Sequence, residues 1–337
     1  MTEKPFLRGR RVLVTGATGF IGSHLVRRLL GEGSEIHIFL RNDVRCFRIS
    51  DVMPRLITWR GDLINFQEVL SCIRNSRPHF IYHLAAYRDV ERHLDLIDAM
   101  IETNIRGTAN LLKAVLDEKI AIECLINTGT CEEYGDGPVP FSEKQKEMPV
   151  SPYSATKVAT TYLSQMVFKT TGLPIITLRP FLTYGPYQDT NMFIPSLIYH
   201  CLTGQHFLMT EGNQTRDFNY IDDIVEGFLL AAVSSKAIGE IINIGSAIEY
   251  TITDVAEKIV EITQAPTRLL KGALRKRPGE APHFFCNNEK ARILLNWEPK
   301  MTLDEGLKKT VSWYKDNLHL FPDISQYTLN PRTYRNP

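Results

Sequence analysis

A glycine-rich stretch near the N-terminus, the glycine segment (16–22), restricts the possible folds more than any other part of the sequence. Gly16, Gly19 and Gly22 follow the short β-rich run 11–15 and open a helical pattern that ends at another glycine. Glycines at this spacing allow a tight turn in which backbone N–H groups approach a pyrophosphate at the helix N-terminus. We therefore predict that the segment binds a dinucleotide, with an ordinary glycine turn as the alternative.

The rest of the N-terminal half alternates between strand and helix patterns. Strands are predicted at 35–40, 56–62, 79–86, 122–130 and 173–180, and helices at 66–73, 101–116 and 151–172. Alternation of this kind predicts parallel βαβ units with right-handed crossovers. The expected fold is therefore α/β, with a Rossmann-type doubly wound parallel sheet.

Domain organisation is predicted from the point where this alternation weakens. We expect a Rossmann domain over 1–180 that carries the catalytic residues, a smaller C-terminal substrate-binding lobe over 181–320, and a polar tail over 321–337. Isolated strand and helix patterns at 240–245 and 251–263 indicate that this lobe is interleaved with the last Rossmann elements.

Charge and cysteine usage exclude several classes of partner. Lysine and arginine total 39 and aspartate and glutamate 38, a balance that gives no general attraction to nucleic acid or to an anionic membrane. The six cysteines form no CxxC pair, so neither a metal site nor a disulfide framework is predicted. Isolated thiols, a polar N-terminus and the lack of a long apolar run favour the cytoplasm as the location.

The end of the second predicted strand bears on which dinucleotide binds. Enzymes that use NAD usually place Asp or Glu there to bind the ribose 2′-hydroxyl, whereas this chain has Leu40 followed by Arg41. A guanidinium suits a 2′-phosphate, so we favour NADP over NAD; the alternative is a solvated Arg41 paired with Asp43. Asp62, after the third strand, is placed either to accept from the adenine amine or to form a turn.

Tyr153 and Lys157 lie four residues apart on the helix predicted over 151–172, and therefore on one face of it. An ammonium beside a phenol is expected to lower the phenol pKa by stabilising phenolate. Such a tyrosine can exchange a proton with a sugar hydroxyl while a hydride moves to or from nicotinamide. This spacing alone is common, and a packed ring beside a solvated amine is the alternative. The glycine segment and Thr130, which follows a strand, favour the catalytic interpretation.

Several further motifs occur along the chain in a recognisable order. They are GATGFIG (16–22), GDL (61–63), HLAA (83–86), TNIRGTANLL (103–112), TGTCEEYG (128–135), SPYSATK (151–157), RDFNYIDDIV (216–225) and RPGE (277–280). With these motifs the sequence resembles, over almost its whole length, the extended short-chain dehydrogenase/reductase family of NDP-sugar epimerases and dehydratases. The resemblance implies hydride transfer at C4 of a nucleotide-diphosphate sugar, and a homodimer formed through paired helices.

The resemblance also implies a set of site residues. Thr130, Tyr153 and Lys157 would form a catalytic triad in which Thr130 hydrogen-bonds the oxygen at C4 of the sugar. The residues expected to line the cofactor are Gly16, Gly19, Phe20, Ile21, Gly22, Arg41, Asp62, Leu63, Leu84, Ala85, Ala86, Asn104, Thr128, Tyr153, Lys157 and Pro180. Arg216 and Arg277 are implied to bind the diphosphate and Glu280 the nucleotide ribose, with surface ion pairs as the alternative for the arginines.

The residues after Thr130 bear on the reaction. Glu132 resembles the glutamate with which 4,6-dehydratases remove the C5 proton while water leaves from C6, since a ketone at C4 makes that proton acidic. Cys131, expected to contact the substrate, stands where some dehydratases carry an Asp that protonates the leaving hydroxyl, and a thiol is a weaker donor. A similar glutamate occurs in UDP-glucuronate decarboxylases and 4-keto-6-deoxy-sugar reductases, and an N-cap or surface carboxylate is the structural alternative.

One position departs from the family pattern: Leu182 stands where the family often has an asparagine that touches the substrate. A leucine supplies no hydrogen bond, so either the sugar differs or another group serves. Tyr87 and Arg88 are candidates to reach the sugar, or are ordinary loop residues. We therefore expect a 4,6-dehydratase-type enzyme, with a 4-keto-sugar reductase or a 4-epimerase as the alternative. A catalytically silent, dinucleotide-sensing protein is the alternative from another class, and the intact catalytic triad argues against it.

Overall fold

The computed structural model of the chain describes residues 7–89, 94–276 and 279–321. The strands are β1 (Arg11–Thr15), β2 (Glu35–Leu40), β3 (Ile57–Arg60), β4 (Phe80–His83), β5 (Cys124–Thr128), β6 (Ile175–Pro180), β7 (Leu182–Tyr184), β8 (Phe207–Leu208), β9 (Thr215–Arg216), β10 (Phe218–Tyr220), β11 (Ile241–Ile244), β12 (Tyr250–Thr251) and β13 (Leu269–Leu270). The α-helices are α1 (Phe20–Glu32), α2 (Phe66–Ser76), α3 (Ile97–Met100), α4 (Gly107–Asp117), α5 (Pro152–Thr171), α6 (Phe193–Leu202), α7 (Ile221–Val233), α8 (Ile252–Thr263), α9 (Glu289–Leu295) and α10 (Leu303–Asn317). Within these ranges, no helix combines the length with the apolar run that a bilayer crossing needs.

Seven parallel strands form the central sheet, in the order β11-β6-β5-β4-β1-β2-β3. The predicted Rossmann-type doubly wound sheet is thereby confirmed. The chain places β2 and β3 on one side of β1 and then crosses to the other side for β4, β5 and β6. At this reversal the connections leave β1 and β4 in opposite directions, and a crevice forms at the carboxyl ends of the two strands. Open α/β sheets bind their ligands in such a crevice.

The C-terminal portion contributes both to this sheet and to smaller pairs of strands. β11 pairs in parallel with β6, with Ile244 beside Pro180, so the pattern at 240–245 belongs to the central sheet. The short strands pair separately as β7 with β10, β9 with β12, and β8 with β13. The division into domains at residue 180 stays a prediction.

The apolar sequence of β1 explains why the sheet is covered on both faces. Val12 and Val14 belong to one buried cluster together with Leu25 of α1, whereas Leu13 belongs to a second cluster with Leu111 of α4. Successive side chains of a strand point to opposite faces, so an unbroken apolar run requires helices on both sides. The carboxyl edge of the sheet is the part that stays open to form a site.

The prediction of a single regular α-helix over 101–116 is wrong, because the structure interrupts this helix with a π-helical turn. α3 ends at Met100, a π-helical turn occupies Ile101–Arg106, and α4 begins only at Gly107. A π-helical turn shifts the helix register by one residue and hardly changes the apolar periodicity, so a sequence pattern does not reveal it. The turn contains Asn104, whose side chain is buried.

Gly22, in the first turn of α1, is a position where the fold leaves no room for a side chain. A Cβ there would lie 2.1 Å from the carbonyl oxygen of Gly16. We expect Gly22→Ala to lower the free energy of unfolding by at least about 2 kcal/mol, because the backbone must move to relieve the overlap. Denaturant unfolding followed by circular dichroism checks this value.

The matched control is Gly31→Ala in the same helix. A Cβ at Gly31 would meet no atom within 4 Å, and alanine has the higher helix propensity. We expect this variant to be neutral or stabilised by up to about 1 kcal/mol. Equal losses of stability in the two variants would contradict the role assigned to Gly22.

Candidate functional site

A cleft of about 420 Å³ opens at the crevice beside β1 and β4. It is lined by the glycine segment, by residues at the carboxyl ends of β4, β5 and β6, by the start of α5, and by residues between 181 and 194. The sequence-predicted site residues that line it are Gly16, Gly19, Phe20, Ile21, Gly22, Leu84, Ala86, Arg88, Thr128, Thr130, Cys131, Glu132, Tyr153 and Pro180. Positions far apart in the chain thus share one concave surface, because parallel strands end at the same edge of the sheet.

Other predicted site residues do not line the cleft. Within the described ranges these are Arg41, Asp62, Leu63, Ala85, Tyr87, Asn104, Lys157, Arg216 and Glu280. Arg277 lies outside the described residues. Leu63 packs in the core beneath α2 and α4. Asp62 forms a turn in which its Oδ1 accepts from the N–H of Ile64 at 3.1 Å, as in the turn-forming alternative.

The glycine segment presents a helix N-terminus to the cleft. α1 starts at Phe20, its N-cap Gly19 supplies no side-chain hydrogen bond, and its first turn holds no acidic residue. Gly16 has a φ of 74°, and a Cβ at Gly16 would lie 2.6 Å from the backbone nitrogen of Ala85. Uncapped N–H groups at a helix start suit an anion such as a pyrophosphate. Ala85 therefore contacts the glycine segment and not the cleft.

α5 carries Tyr153 and Lys157 on its buried face. The N-cap Ser151 accepts from the N–H of Ser154, and Pro152 occupies the first turn, so the start of the helix is fixed locally. Tyr153 lines the cleft with 7% of its surface exposed. Lys157, one turn further on, is 4% exposed and does not line the cleft.

Burial decides the protonation of both groups. It raises the pKa of Tyr153 to about 12, with the nearby Arg88 acting in the opposite direction. It lowers the pKa of Lys157 to about 8, against the raising influence of Glu133. The lowered phenol pKa expected from the spacing of Tyr153 and Lys157 is therefore not found, because burial disfavours the charged form and outweighs the effect of nearby cations.

A short 3₁₀ turn after β5 orients Thr130. Its Oγ1 accepts from the N–H of Glu132 at 3.3 Å, and its own N–H donates to Oε1 of Glu133 at 2.8 Å. A hydroxyl oxygen that accepts from the turn leaves its proton free for a ligand oxygen. Glu132 is half-buried at the cleft, whereas the next residue, Glu133, is fully buried. Burial raises the pKa of the Cys131 thiol well above its usual range, so the thiol stays neutral.

Glu133 and Arg179 form a buried ion pair that the sequence analysis missed. The guanidinium Nη2 lies 2.7 Å from Oε2 of Glu133 and 2.6 Å from Oε1 of Glu147. Neither member of the Glu133–Arg179 pair has any exposed side-chain surface. A signal was present, since an arginine inside the apolar strand 173–180 requires a carboxylate partner when that strand is buried.

Two residues predicted to bind substrate pair with each other. Arg216 Nη2 lies 2.6 Å from Oε1 of Glu280, as in the ion-pair alternative. Arg216 Nη1 also donates to the carbonyl oxygens of Thr215 at 2.6 Å and Ala281 at 3.1 Å. Burial lowers the pKa of Arg216, and Glu280 acts to raise it. The pair therefore ties β9 to the segment after Gly279.

Asn104 fixes the loop after β4. Its Oδ1 accepts from the N–H of Tyr87 at 2.7 Å, and its Nδ2 donates to the carbonyl oxygen of Tyr87 at 3.1 Å and to Oγ1 of Thr156 at 2.9 Å. Asn104 thus links this loop to α5 and does not line the cleft, and its expected contact with the cofactor stays a prediction. Arg88, the next residue in the loop, reaches the cleft with its Nη1 3.4 Å from Sδ of Met192.

One side of the cleft was not predicted as part of the site. The lining residues not predicted as site residues are Gly129, Phe181, Leu182, Thr183, Tyr184, Gln188, Asp189, Asn191, Met192, Phe193, Ile194 and Phe218, of which Leu182 had been noted as a departure and Gly129 and Phe218 lie within family motifs. Arg48 holds part of this side in place: it donates to the carbonyl oxygens of Tyr187 at 2.8 Å and Thr18 at 3.3 Å, and pairs with Asp189. The turn signals in this region predict a loop but not its neighbours in space.

Known proteins are similar to this chain in sequence and fold. The family model described as GDP-mannose 4,6 dehydratase matches residues 13–310. A dTDP-glucose 4,6-dehydratase from Haemophilus influenzae is 30% identical, covering 91% of this chain and 98% of the relative. A UDP-glucuronic acid 4-epimerase from Bacillus cereus, solved with UDP-glucuronic acid and NAD, has a TM-score of 0.81 at 30% identity, covering 91% of this chain and 99% of the other. A dTDP-glucose 4,6-dehydratase from Streptomyces venezuelae, solved with NAD bound, has a TM-score of 0.83 at 27% identity, covering 93% and 99%.

Proposed function

The chain belongs to the extended short-chain dehydrogenase/reductase family of NDP-sugar epimerases and dehydratases, and we propose that it converts an NDP-hexose to the 4-keto-6-deoxy sugar. Its activity is nicotinamide-dependent modification of a nucleotide sugar at C4. The observation that carries the dehydratase proposal is the position of Glu132. Its carboxylate lines the same cleft as Thr130 and Tyr153.

The residues at the glycine segment fit a nicotinamide dinucleotide. Gly16 and Gly22 leave no side chain between the turn and its neighbours, and the uncapped N-terminus of α1 faces the cleft. This arrangement suits a pyrophosphate, because several backbone N–H groups converge on one anion. When bound, the dinucleotide supplies the acceptor for the hydrogen of C4 and the donor that returns it to C6.

The protein side chains are proposed to move protons at C4. Tyr153 takes the proton of the 4-hydroxyl as C4 becomes a ketone. It does so from its phenolate form, to which the phenol must first be deprotonated because burial keeps it neutral near neutral pH. Lys157 bears a positive charge below pH of about 8, its pKa in this structure, and this charge stabilises the phenolate of Tyr153. Thr130 donates its hydroxyl proton to the oxygen at C4, since its own oxygen already accepts from the 3₁₀ turn.

Glu132 is proposed to act on C5 and C6. A ketone at C4 makes the C5 proton acidic, and the carboxylate of Glu132 takes that proton. The C6 hydroxyl then leaves as water, with its proton delivered by the same carboxyl group. Cys131 does not serve as this acid, because its buried thiol is a far weaker donor than a carboxylic acid. Return of hydrogen to C6 and of a solvent proton to C5, with the proton of the 4-hydroxyl released from Tyr153 to solvent, completes the 4-keto-6-deoxy sugar and one water with no net use of dinucleotide.

A second candidate function rests on Arg88. Its guanidinium lines the cleft and affects the titration of Tyr153, so it lies in the part of the cleft where the sugar would react. A cation in that position suits a carboxylate at C6, as in the UDP-glucuronic acid that the B. cereus epimerase binds. With a C6 carboxylate there is no hydroxyl to eliminate, and the reaction would be 4-epimerisation or decarboxylation.

A panel of NDP-hexoses and NDP-hexuronates with NADP or NAD separates these functions. For the dehydratase we expect loss of one water from a neutral NDP-hexose, detected by mass spectrometry, with no net change in reduced-nicotinamide absorbance. Loss of carbon dioxide, or an isomer of unchanged mass, would favour the second candidate. Net oxidation of reduced dinucleotide on a 4-keto sugar would instead identify a reductase.

Glu132→Gln tests the step assigned to the carboxylate. We expect dehydration to fall at least about 100-fold, because general acid–base groups contribute on this scale, while exchange of hydrogen between C4 and the dinucleotide continues. Asp189→Asn is the control, since it changes a second cleft carboxylate that is paired with Arg48. Dehydration retained in Glu132→Gln would contradict the assignment.

NADP is proposed as the preferred dinucleotide on the basis of Arg41. β2 ends at Leu40 without a carboxylate, and the Arg41 side chain is 57% exposed, with its Nε 3.5 Å from Asp43 Oδ1. We expect NADP to bind at least about tenfold more tightly than NAD, and Arg41→Ala to remove this preference. Fluorescence titration measures both affinities. Arg45→Ala is the control on the same loop, and tighter binding of NAD by the unchanged protein would contradict the proposal.

A homodimer is proposed through α5 and the neighbouring π-helical turn. Tyr162 and Met166 of α5 are 56% and 48% exposed, and Ile101 of the turn is 39% exposed. These elements pack against each other, and we propose that their exposed apolar side chains belong to one face. We expect Met166→Glu to dissociate the dimer, as measured by sedimentation equilibrium, because a charge would be buried. Ile293→Glu, at a 66% exposed position of α9, is the control, and a dimer unaffected by Met166→Glu would contradict the proposed face.

A further inference from the structure

The buried carboxylate of Glu133 contacts every element that carries the proposed catalytic triad. Its Oε1 accepts from the N–H of Thr130 at 2.8 Å, at the end of β5. Its Oε2 accepts from Thr161 Oγ1 at 2.9 Å, one turn of α5 after Lys157. The same oxygen accepts from Arg179 Nε at 3.0 Å and Nη2 at 2.7 Å, on β6. A single side chain thus connects three separate elements around the cleft.

The surroundings of Glu133 show that it is not itself a catalytic acid or base. Its side chain has no exposed surface and does not line the cleft. Both of its oxygens are occupied by donors from the protein. A group in this position can act on the reaction only through the residues that it holds.

The negative charge of Glu133 also influences the pKa of Lys157. The charged groups in this part of the molecule include the buried cations Lys157 and Arg179, the buried anion Glu133, and the partly buried carboxylates Glu143 and Glu147. Glu133 is the charged group that opposes the effect of burial on Lys157. Without its charge, Lys157 would lose this raising influence on its pKa, while Glu143 and Glu147 act on Arg179.

We propose that Glu133 is a positioning residue: its carboxylate fixes the backbone that carries Thr130 and serves as the counter-charge for the Lys157 ammonium. The proposal rests on the proposed function of the triad. The two adjacent glutamates therefore have different roles. Glu132 acts within the cleft, whereas Glu133 lies outside the cleft and acts through the residues that it holds. The 3₁₀ turn that begins at Thr130 is what sends the two side chains in different directions.

The other groups that face Lys157 and Glu133 do not replace this counter-charge. On β4, His83 bonds to Thr15 and Thr108, and burial lowers its pKa to about 3, so it is neutral near neutral pH. On α5, Tyr153 is a neutral phenol because burial raises its pKa. Tyr134, stacked against Arg179, is also neutral because burial raises its pKa.

The first test needs neither sugar nor turnover. Protein labelled with [ε-¹³C]lysine is titrated by NMR, and the Lys157 resonance is assigned from its loss in Lys157→Met. We expect a midpoint of about 8 in the unchanged protein, and a midpoint at least about one pH unit lower in Glu133→Gln, because the ammonium loses its counter-charge. An unchanged midpoint in folded Glu133→Gln would overturn the proposal.

Glu147→Gln is the matched control. It removes the other carboxylate that pairs with Arg179, and that carboxylate bonds to the exposed Tyr162 of α5 and not to Thr130. We expect the Lys157 midpoint in this variant to stay within about 0.3 units of that in the unchanged protein. If both variants shifted the midpoint equally, the effect would be a general one of buried charge, and the specific role of Glu133 would be rejected.

Glu133→Asp distinguishes the counter-charge for Lys157 from the fixation of Thr130. This variant also provides the test if Glu133→Gln does not fold. It keeps the charge but shortens the side chain, so we expect a nearly unchanged Lys157 midpoint and weaker fixation of Thr130. On a substrate found by the sugar panel, kcat should fall at least about tenfold with KM changed less than about threefold. A kcat equal to that of the unchanged protein would overturn the positioning of Thr130.

These outcomes are distinguishable from failure of the proposed function. If no sugar is turned over, the proposed function fails, whereas the Lys157 titration still decides whether Glu133 is its counter-charge. If a sugar is turned over and the Glu133 variants match the unchanged protein in midpoint and kcat, the function stands and the inference about Glu133 is rejected.

Discussion

The close passage of the turn after β1 beside the turn after β4 is the constraint on which the rest of the structure depends. A Cβ at Gly16 would lie 2.6 Å from the backbone nitrogen of Ala85, so only glycine allows the two turns to meet where the sheet order reverses. That meeting brings the N-terminus of α1 to the carboxyl edge of the sheet. Thr130 at the end of β5 and Pro180 at the end of β6 then face the same cleft, because parallel strands all end at one edge.

Burial of charge beside this cleft determines its chemistry. Lys157, Arg179 and Glu133 lie in an interior where an unpaired charge is strongly disfavoured, so each must have a partner. Arg179 forms direct ion pairs with two carboxylates. For Lys157, the negative charge of Glu133 raises the pKa against the effect of burial. The lysine is therefore the group whose protonation is most sensitive to its surroundings. The polar groups that these elements place at the cleft include the phenol of Tyr153, the hydroxyl of Thr130 and the carboxylate of Glu132.

The sequence predicts the parts of this structure that depend on local pattern, and fails where distant segments meet. The periodicity of the strand and helix patterns predicted the central sheet, and the spacing of the glycines predicted the start of α1. The π-helical turn at Ile101–Arg106 was missed because it hardly disturbs the apolar periodicity. The side of the cleft held by Arg48 was missed because its contacts join residues more than a hundred positions apart. The pKa of Tyr153 was misjudged because a spacing of four residues reports proximity to Lys157 but not the burial of both groups.

The central claim is that Thr130, Tyr153 and Lys157 serve a hydrogen transfer between C4 of a nucleotide sugar and a nicotinamide dinucleotide, whichever product follows. The most direct measurement is a single turnover with a nucleotide sugar deuterated at C4, followed by mass spectrometry of the dinucleotide and the sugar. The account predicts that deuterium leaves C4 and is found on the dinucleotide during the turnover, and that Tyr153→Phe prevents this transfer. Product formed with no deuterium on the dinucleotide at any time during the turnover would contradict it.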